Sequence, residues 1–316
     1  MAGLTSLQRV TTALALGAGL LLAGAAPAVS QPMPVAVASV DADVLTGALA
    51  RIRHSGVVRI GFREHALPFS FAGAGGTPHG YSIDLCLAIV EQIADAIGGH
   101  PPRIEYRQVM PGNRIDLVVR GEIDLECGAT SNTAQRRRQV AFSPTTFVTG
   151  TKLAVGRASG LRSRRDLEGR TIAVARGTTN EDAIRHIIET ERRRVAVVTA
   201  DDLGQAFELL VGGKADAVAS DDVLLLGYLA QAGLRGEYAV VGEFVSFDSY
   251  GIMFARDDPA MAAAVAAAFQ RLAETRELRW IYHRWFVRRL PSGIRLGLPM
   301  SPHLQRSFEL IGLPPE

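Results

Sequence analysis

Gly177-Thr178-Thr179 lies between an apolar run, Thr171 to Ala175, and a helical pattern from Asn180 to Glu191. Amides at such a junction face out of a helix N-terminus, where N–H groups lack intrahelical partners and an anion can dock. The same triplet also serves as an ordinary turn and cap. Asp221 follows the run Ala215 to Ala219 and precedes a helical pattern from Val223 to Gln231. It reads either as the N-cap of that helix or as a carboxylate at the carboxyl end of a strand, where open α/β sheets hold ligands. The arginine runs Arg136 to Arg138, Arg164 to Arg165 and Arg192 to Arg194 are separated by acidic or apolar segments and read, as runs, as solvated charge. In isolation Arg63 reads as a surface charge beside Glu64, and Arg114 as the start of a short helix. His65 and His79 have no recognisable nucleophile or metal-spacing partner, and His283 falls in the aromatic cluster Trp280, Tyr282, Trp285 and Phe286, where packing is the expected role. No Gly-rich phosphate loop, zinc spacing or Ser/His/Asp signature is apparent.

These residues need elements to hold them. The 316 residues, 47% hydrophobic and 21% charged, supply apolar material for one large or two ordinary domains. The net charge of +2 and the scattered arginines give no reason to expect nucleic acid as a partner. Arg9, the apolar run Ala13 to Ala25 and the small residues Ala26-Pro27-Ala28 predict a secretory signal peptide over 1–28, cleaved near Ala28. A membrane anchor is the alternative, but the run falls short of the roughly 20 residues a bilayer requires. Export permits a disulfide between the only two cysteines, Cys86 and Cys127. A bridge is expected, because the two fall on a helix and a strand of the same lobe; buried free thiols are the alternative.

Val57 to Phe62 reads as a buried strand, Ile83 to Ile97 as a helix, Arg103 to Tyr106 as a strand, Arg114 to Val119 as a helix, Ile123 to Cys127 as a strand and Gln135 to Arg138 as a polar helix. A second α/β series follows Thr149. Asp166 to Gly169 is a helical turn, Thr171 to Ala175 a strand, Asn180 to Glu191 a helix, Val195 to Val198 a strand, Asp202 to Val211 a helix, Ala215 to Ala219 a strand and Val223 to Gln231 a helix. Strands at Tyr238 to Val241 and Gly251 to Phe254 precede an Ala-rich helix from Pro259 to Thr275, with Pro259 suited to its first turn. A Pro- and Gly-rich tail, 291–316, is expected to pack on a lobe.

Several short patterns occur in one order: Arg63 to Phe71, Gly80 to Asp84, Asn113-Arg114-Ile115, Gly121 to Asn132, Gln135-Arg136-Arg137, Ala141 to Pro144, Gly177-Thr178-Thr179 and Ser220-Asp221-Asp222. In this the chain resembles the periplasmic amino-acid-binding proteins of ABC importers (solute-binding protein family 3), and within them the glutamate/aspartate-binding branch. The likeness runs from about Val57 to about Phe286. It implies an α/β, two-lobed clamshell of the type II periplasmic-binding-protein kind, each lobe a mixed sheet flanked by helices. Two hinge crossings, Val148 to Leu153 and Ser246 to Gly251, would join 55–149 plus 250–290 (lobe 1, discontinuous) to 150–249 (lobe 2). It also implies a periplasmic monomer that delivers a small-molecule ligand to an ABC transporter permease in the inner membrane, with no cofactor or metal.

By the same resemblance Arg136 grips the α-carboxylate of an amino acid and Asp221 accepts its α-ammonium. Ala129, Ser131 and Thr178 complete the ring through backbone or hydroxyl groups, and Arg63 and Arg114 meet the second carboxylate of an acidic ligand. Leu203, Pro111 and Ala175 depart from the branch, each replacing a polar residue (His, Ser and Thr). Two other functions belong to the same fold: an enzyme of the cyclohexadienyl-dehydratase kind, and a protein that presents its ligand to a receptor.

Overall fold

The computed structural model describes residues 45–314 except Pro291, so the expected signal peptide over 1–28 lies outside the described residues. After helix α1 (Gly47–Ser55), strand β1 (Val57–Phe62) buries Val58 and Ile60 and becomes a central strand of the first sheet. Three short strands, β2 (His65–Ala66), β3 (Ser70–Ala72) and β4 (Pro78–His79), form a small antiparallel sheet. Helix α2 (Tyr81–Ala96) then lays Leu85, Cys86, Ile89 and Ile93 into the core at helical spacing. β5 (Arg103–Gln108) pairs parallel with β1, helix α3 (Arg114–Val119) follows, and β6 (Leu125–Glu126) pairs parallel with the other edge of β1. Cys86 of α2 and Cys127 after β6 form a disulfide with Cα atoms 6.3 Å apart. The polar helix expected over Gln135 to Arg138 is a single 3₁₀ turn, Arg136–Arg138, before β7 (Val140–Phe142).

The chain crosses through β8 (Phe147–Thr149) into the second lobe. There β9 (Thr151–Gly156), β10 (Thr171–Ala175), helix α4 (Thr179–Glu191), β11 (Ala196–Ala200), helix α5 (Leu203–Val211), β12 (Ala217–Asp221), helix α6 (Asp222–Gln231) and β13 (Tyr238–Val241) follow. The sheet order is β11-β10-β12-β9-β13, with the first three strands parallel and β9 antiparallel to both neighbours. The strand expected over Ala215 to Ala219 starts two residues later, because the amides of Lys214 and Ala215 still donate to the Leu209 carbonyl at the end of α5. The helical turn expected over Asp166 to Gly169 is a 3₁₀ turn, Arg164–Leu167, fixed by a Ser163/Asp166 capping box.

The return crossing, β14 (Asp248–Tyr250), pairs antiparallel with β8, and β15 (Met253–Ala255) then enters the first sheet between β6 and β7. That sheet therefore reads β5-β1-β6-β15-β7. Helices α7 (Pro259–Glu274) and α8 (Glu277–Tyr282) close the lobe, with Asp258 capping α7 ahead of Pro259. In the tail, α9 (Pro302–Glu309) buries Leu304 and Phe308. Aromatic rings brace the crossing strands: Phe147 lies 5.0 Å from Phe69 and stacks 4.7 Å from Phe286, while Tyr250 lies 5.1 Å from Phe69. Trp280, expected in this cluster, is exposed and sits under Arg288.

Candidate functional site

The cleft between the lobes is lined at its floor by the ends of strands. Arg63 follows β1, and its backbone is clamped by Ser70, whose hydroxyl accepts from the Arg63 amide (2.8 Å) and donates to its carbonyl (3.0 Å). Its side chain points inward with 3% exposure. Arg114 opens α3 yet is only 2% exposed, donating from Nη1 to the Ala129 carbonyl at 3.2 Å while its buried Nε has no partner among the described residues. Arg63 is thus not the surface charge that Glu64 beside it suggests, and Arg114 both begins its helix and buries its guanidinium.

Arg136 parts company with its neighbours in the same run. Arg137 and Arg138 are exposed, whereas Arg136 is 8% exposed and donates from Nη1 to the Ser131 carbonyl (2.9 Å) and from Nη2 to the Gly177 carbonyl of the opposite lobe (3.2 Å). Burial, then the nearby positive charge of Arg114, lowers the Arg136 pKa to about 10. Burial and Arg114 lower Arg63 to about 10 as well, and burial lowers Arg114. Three desolvated cations thus share one region, which costs free energy that an anion can recover.

Asp221 ends β12. It occupies the N-cap position of α6 but makes no side-chain capping bond. Instead Oδ1 accepts from Asn180 Nδ2 at 3.0 Å and Oδ2 accepts from the Tyr250 hydroxyl. Burial pushes the Asp221 pKa up to about 6, with the Tyr250 and Asn180 hydrogen bonds opposing the rise. Thr178 caps α4: its hydroxyl accepts from the Glu181 amide (3.2 Å) and donates to the Ala175 carbonyl (2.7 Å), and its carbonyl accepts from the Asp182 amide, leaving its backbone N–H to face a ligand. The Gly177 amide, expected at an anion site, donates to Glu181 Oε2 at 3.0 Å. Ser131 meets Thr179 across the cleft, hydroxyl to hydroxyl, at 3.1 Å.

One cavity brings together Arg63, Arg114, Ala129, Ser131, Thr178 and Asp221. Arg136 stands outside its lining, tied to Ser131 and Gly177 at the rim. Leu203 and Ala175 form part of the wall with Leu224, so two of the three departures give an apolar surface; Pro111 does not line the cavity. Sequence reasoning had Thr179 only within the Gly177-Thr178-Thr179 triplet, and missed Asn180 on the wall and Tyr250 and Glu126 behind it. Asn180 had the signal of a helix start and Tyr250 that of a crossing strand, so each was read for its element and not its side chain. Outside the cavity, the His65–Leu67 segment of lobe 1 seats against α5 and α6. A Cβ on Gly227 would lie 2.1 Å from the Leu67 carbonyl oxygen, and one on Gly204 would lie 2.7 Å from His65 Cδ2.

Two mixed sheets, paired crossing strands and a charged cleft at strand ends define a type II binding-protein clamshell. Residues 58–288 match the bacterial extracellular solute-binding proteins, family 3, and the chain belongs to that family. It is 34% identical to the L-glutamate/L-aspartate-binding protein of Pseudomonas aeruginosa over 85% of this chain and 90% of that protein. It is 30% identical to the glutamate/aspartate import solute-binding protein of Escherichia coli K12 over 83% of this chain and 87% of that protein. Among solved structures, the cysteine-binding protein of Campylobacter jejuni superposes with a TM-score of 0.68 at 20% identity, covering 80% of this chain and 97% of that one.

Proposed function

We propose that the protein captures glutamate or aspartate in the periplasm, after loss of residues 1–28, and delivers it as a monomer to an ABC permease. Arg63 and Arg114, both buried and facing the cavity that holds Asp221, carry this reading. Asp221 accepts the α-ammonium and Arg136 takes the α-carboxylate, with Ser131 and the Thr178 backbone completing the ring. The two remaining guanidiniums meet the distal carboxylate, and the unpartnered Arg114 Nε supplies a donor for it. Relatives that share 30–34% of their residues with this chain bear names that state glutamate and aspartate binding, which supports the choice of ligand. The protein acts by binding and release, without covalent chemistry.

A thermal-shift titration tests this. A ligand held only by the folded state stabilises it by about 2.7 kcal/mol at a hundredfold excess over Kd, so glutamate or aspartate raises Tm by at least about 2 °C while glutamine and arginine do so far less. No shift with either acidic amino acid rejects the assignment.

A further inference from the structure

Glu126 lies on β6 at the centre of the first sheet, paired with Gly61 on one side and Met253 on the other, and is 0% exposed. Its Oε2 accepts from Thr130 Oγ1 at 2.7 Å, while its Oε1 is buried with no hydrogen-bond partner among the described residues. Two residues on, Gly128 provides the room for this arrangement. A Cβ there would lie 2.3 Å from Glu126 Oε1 and 2.8 Å from Arg63 Cγ, so the carboxylate and the Arg63 stem flank one point of backbone. The charge of Glu126 acts on Arg63, Arg114 and Arg136 alike. Asp202 also acts on Arg63 and Asp221 on Arg114, but Asp202 caps α5, where the partial positive charge of the helix N-terminus meets it, and Asp221 is held by Asn180 and Tyr250. Asp124 is bound to Arg51 and Arg59.

A buried carboxylate at the middle of a sheet is a costly way to fill space, and an apolar side chain would pack there at less expense. Its effect is electrical. Arg63 and Arg114 bring two positive charges to the cavity, and the buried Glu126 carboxylate offsets part of that charge. We propose that Glu126 sets the charge of this subsite so that it accepts a single carboxylate and rejects a doubly charged phosphate ester. Glu126 is in this sense a specificity-determining residue that acts through the arginines without touching the ligand. The inference rests on the acidic-amino-acid reading and extends it to how the charge of the guest is counted.

The test is calorimetric titration of the wild-type protein and Glu126→Gln with L-glutamate, L-aspartate and O-phospho-L-serine at about pH 8, where the phosphate, with a second pKa of about 6, is a dianion. Glutamine keeps an oxygen to accept from Thr130 and removes only the charge. The wild type is expected to disfavour phosphoserine by about a hundredfold relative to its better acidic amino acid, and Glu126→Gln to narrow that ratio by about tenfold, through tighter phosphoserine binding. Equal changes for all ligands in the variant indicate a scaffolding role and overturn the proposal. Wild-type protein that binds phosphoserine as tightly as glutamate overturns it too, even should the variant fail to fold. Wild-type protein that binds neither glutamate nor aspartate rejects the ligand assignment itself, and the inference with it, a result distinct from an unchanged ratio.

Discussion

Both carboxylate oxygens of Asp221 are held, one by Asn180 and one by Tyr250, and its pKa of about 6 lies in a range where modest acidification removes its charge. An ammonium needs the ionised form. Affinity for a zwitterionic amino acid should therefore fall as pH drops through 6, by about tenfold between neutrality and one unit below that pKa. A ligand with a hydroxyl in place of the ammonium should lack this loss, and calorimetry over the range checks both. The empty protein behaves oppositely: a carboxyl whose folded pKa lies above its unfolded value favours folding while protonated. That contribution is fully present below about pH 4 and is lost as pH rises through about 6. Among the cations, Arg136→Ala should weaken every amino acid by about 2–5 kcal/mol, whereas Arg63→Ala or Arg114→Ala should weaken the acidic ones selectively. Equal losses for acidic and neutral amino acids in all three variants would contradict the assignment. The site was only partly legible at this scale. Nothing in Arg136-Arg137-Arg138 marks its first member as the buried one; the order of neighbouring motifs does. Glu126 reads only as part of the strand Ile123 to Cys127, and nothing in that run marks its carboxylate as buried.

Longer elements follow their hydrophobic period, and these are the ones the sequence made readable. α2 and α7 each bury a face at helical spacing, β1 buries Val58 and Ile60 in alternation, and β10 holds a run of buried apolar side chains. Several strands of two or three residues escape, since β2, β3, β4, β8 and β14 are too short to show alternation and exist through their pairing. A glycine on one of the longer elements matters for a different reason. Gly227 sits within α6, where alanine is favoured by about 1 kcal/mol, yet a methyl group there would collide with the Leu67 carbonyl of the facing lobe. Gly227→Ala should leave the Tm of the empty protein unchanged or raised while weakening ligand binding by about tenfold, because only the closed arrangement meets the clash. Unaltered affinity would show that this seat plays no part in closure.

For the molecule as a whole, tandem α/β series were enough to indicate two lobes, whereas the way the chain divides between their sheets came from resemblance and not from periodicity. Met253 and Phe254 read simply as strand residues; that they lie between Leu125–Glu126 and Val140–Phe142 is a matter of pairing over more than a hundred positions. This insertion has a consequence for the order in which the chain can assemble. The second sheet draws all its strands from Thr151–Gly156 to Tyr238–Val241, a contiguous stretch whose contacts close over modest loops. The first sheet holds β6 and β7 apart until β15 arrives, so joining β7 to the sheet must await the synthesis of everything between. During elongation the middle stretch is therefore complete before the first sheet, whose early strands β5, β1 and β6 can pair among themselves but reach β7 only through β15.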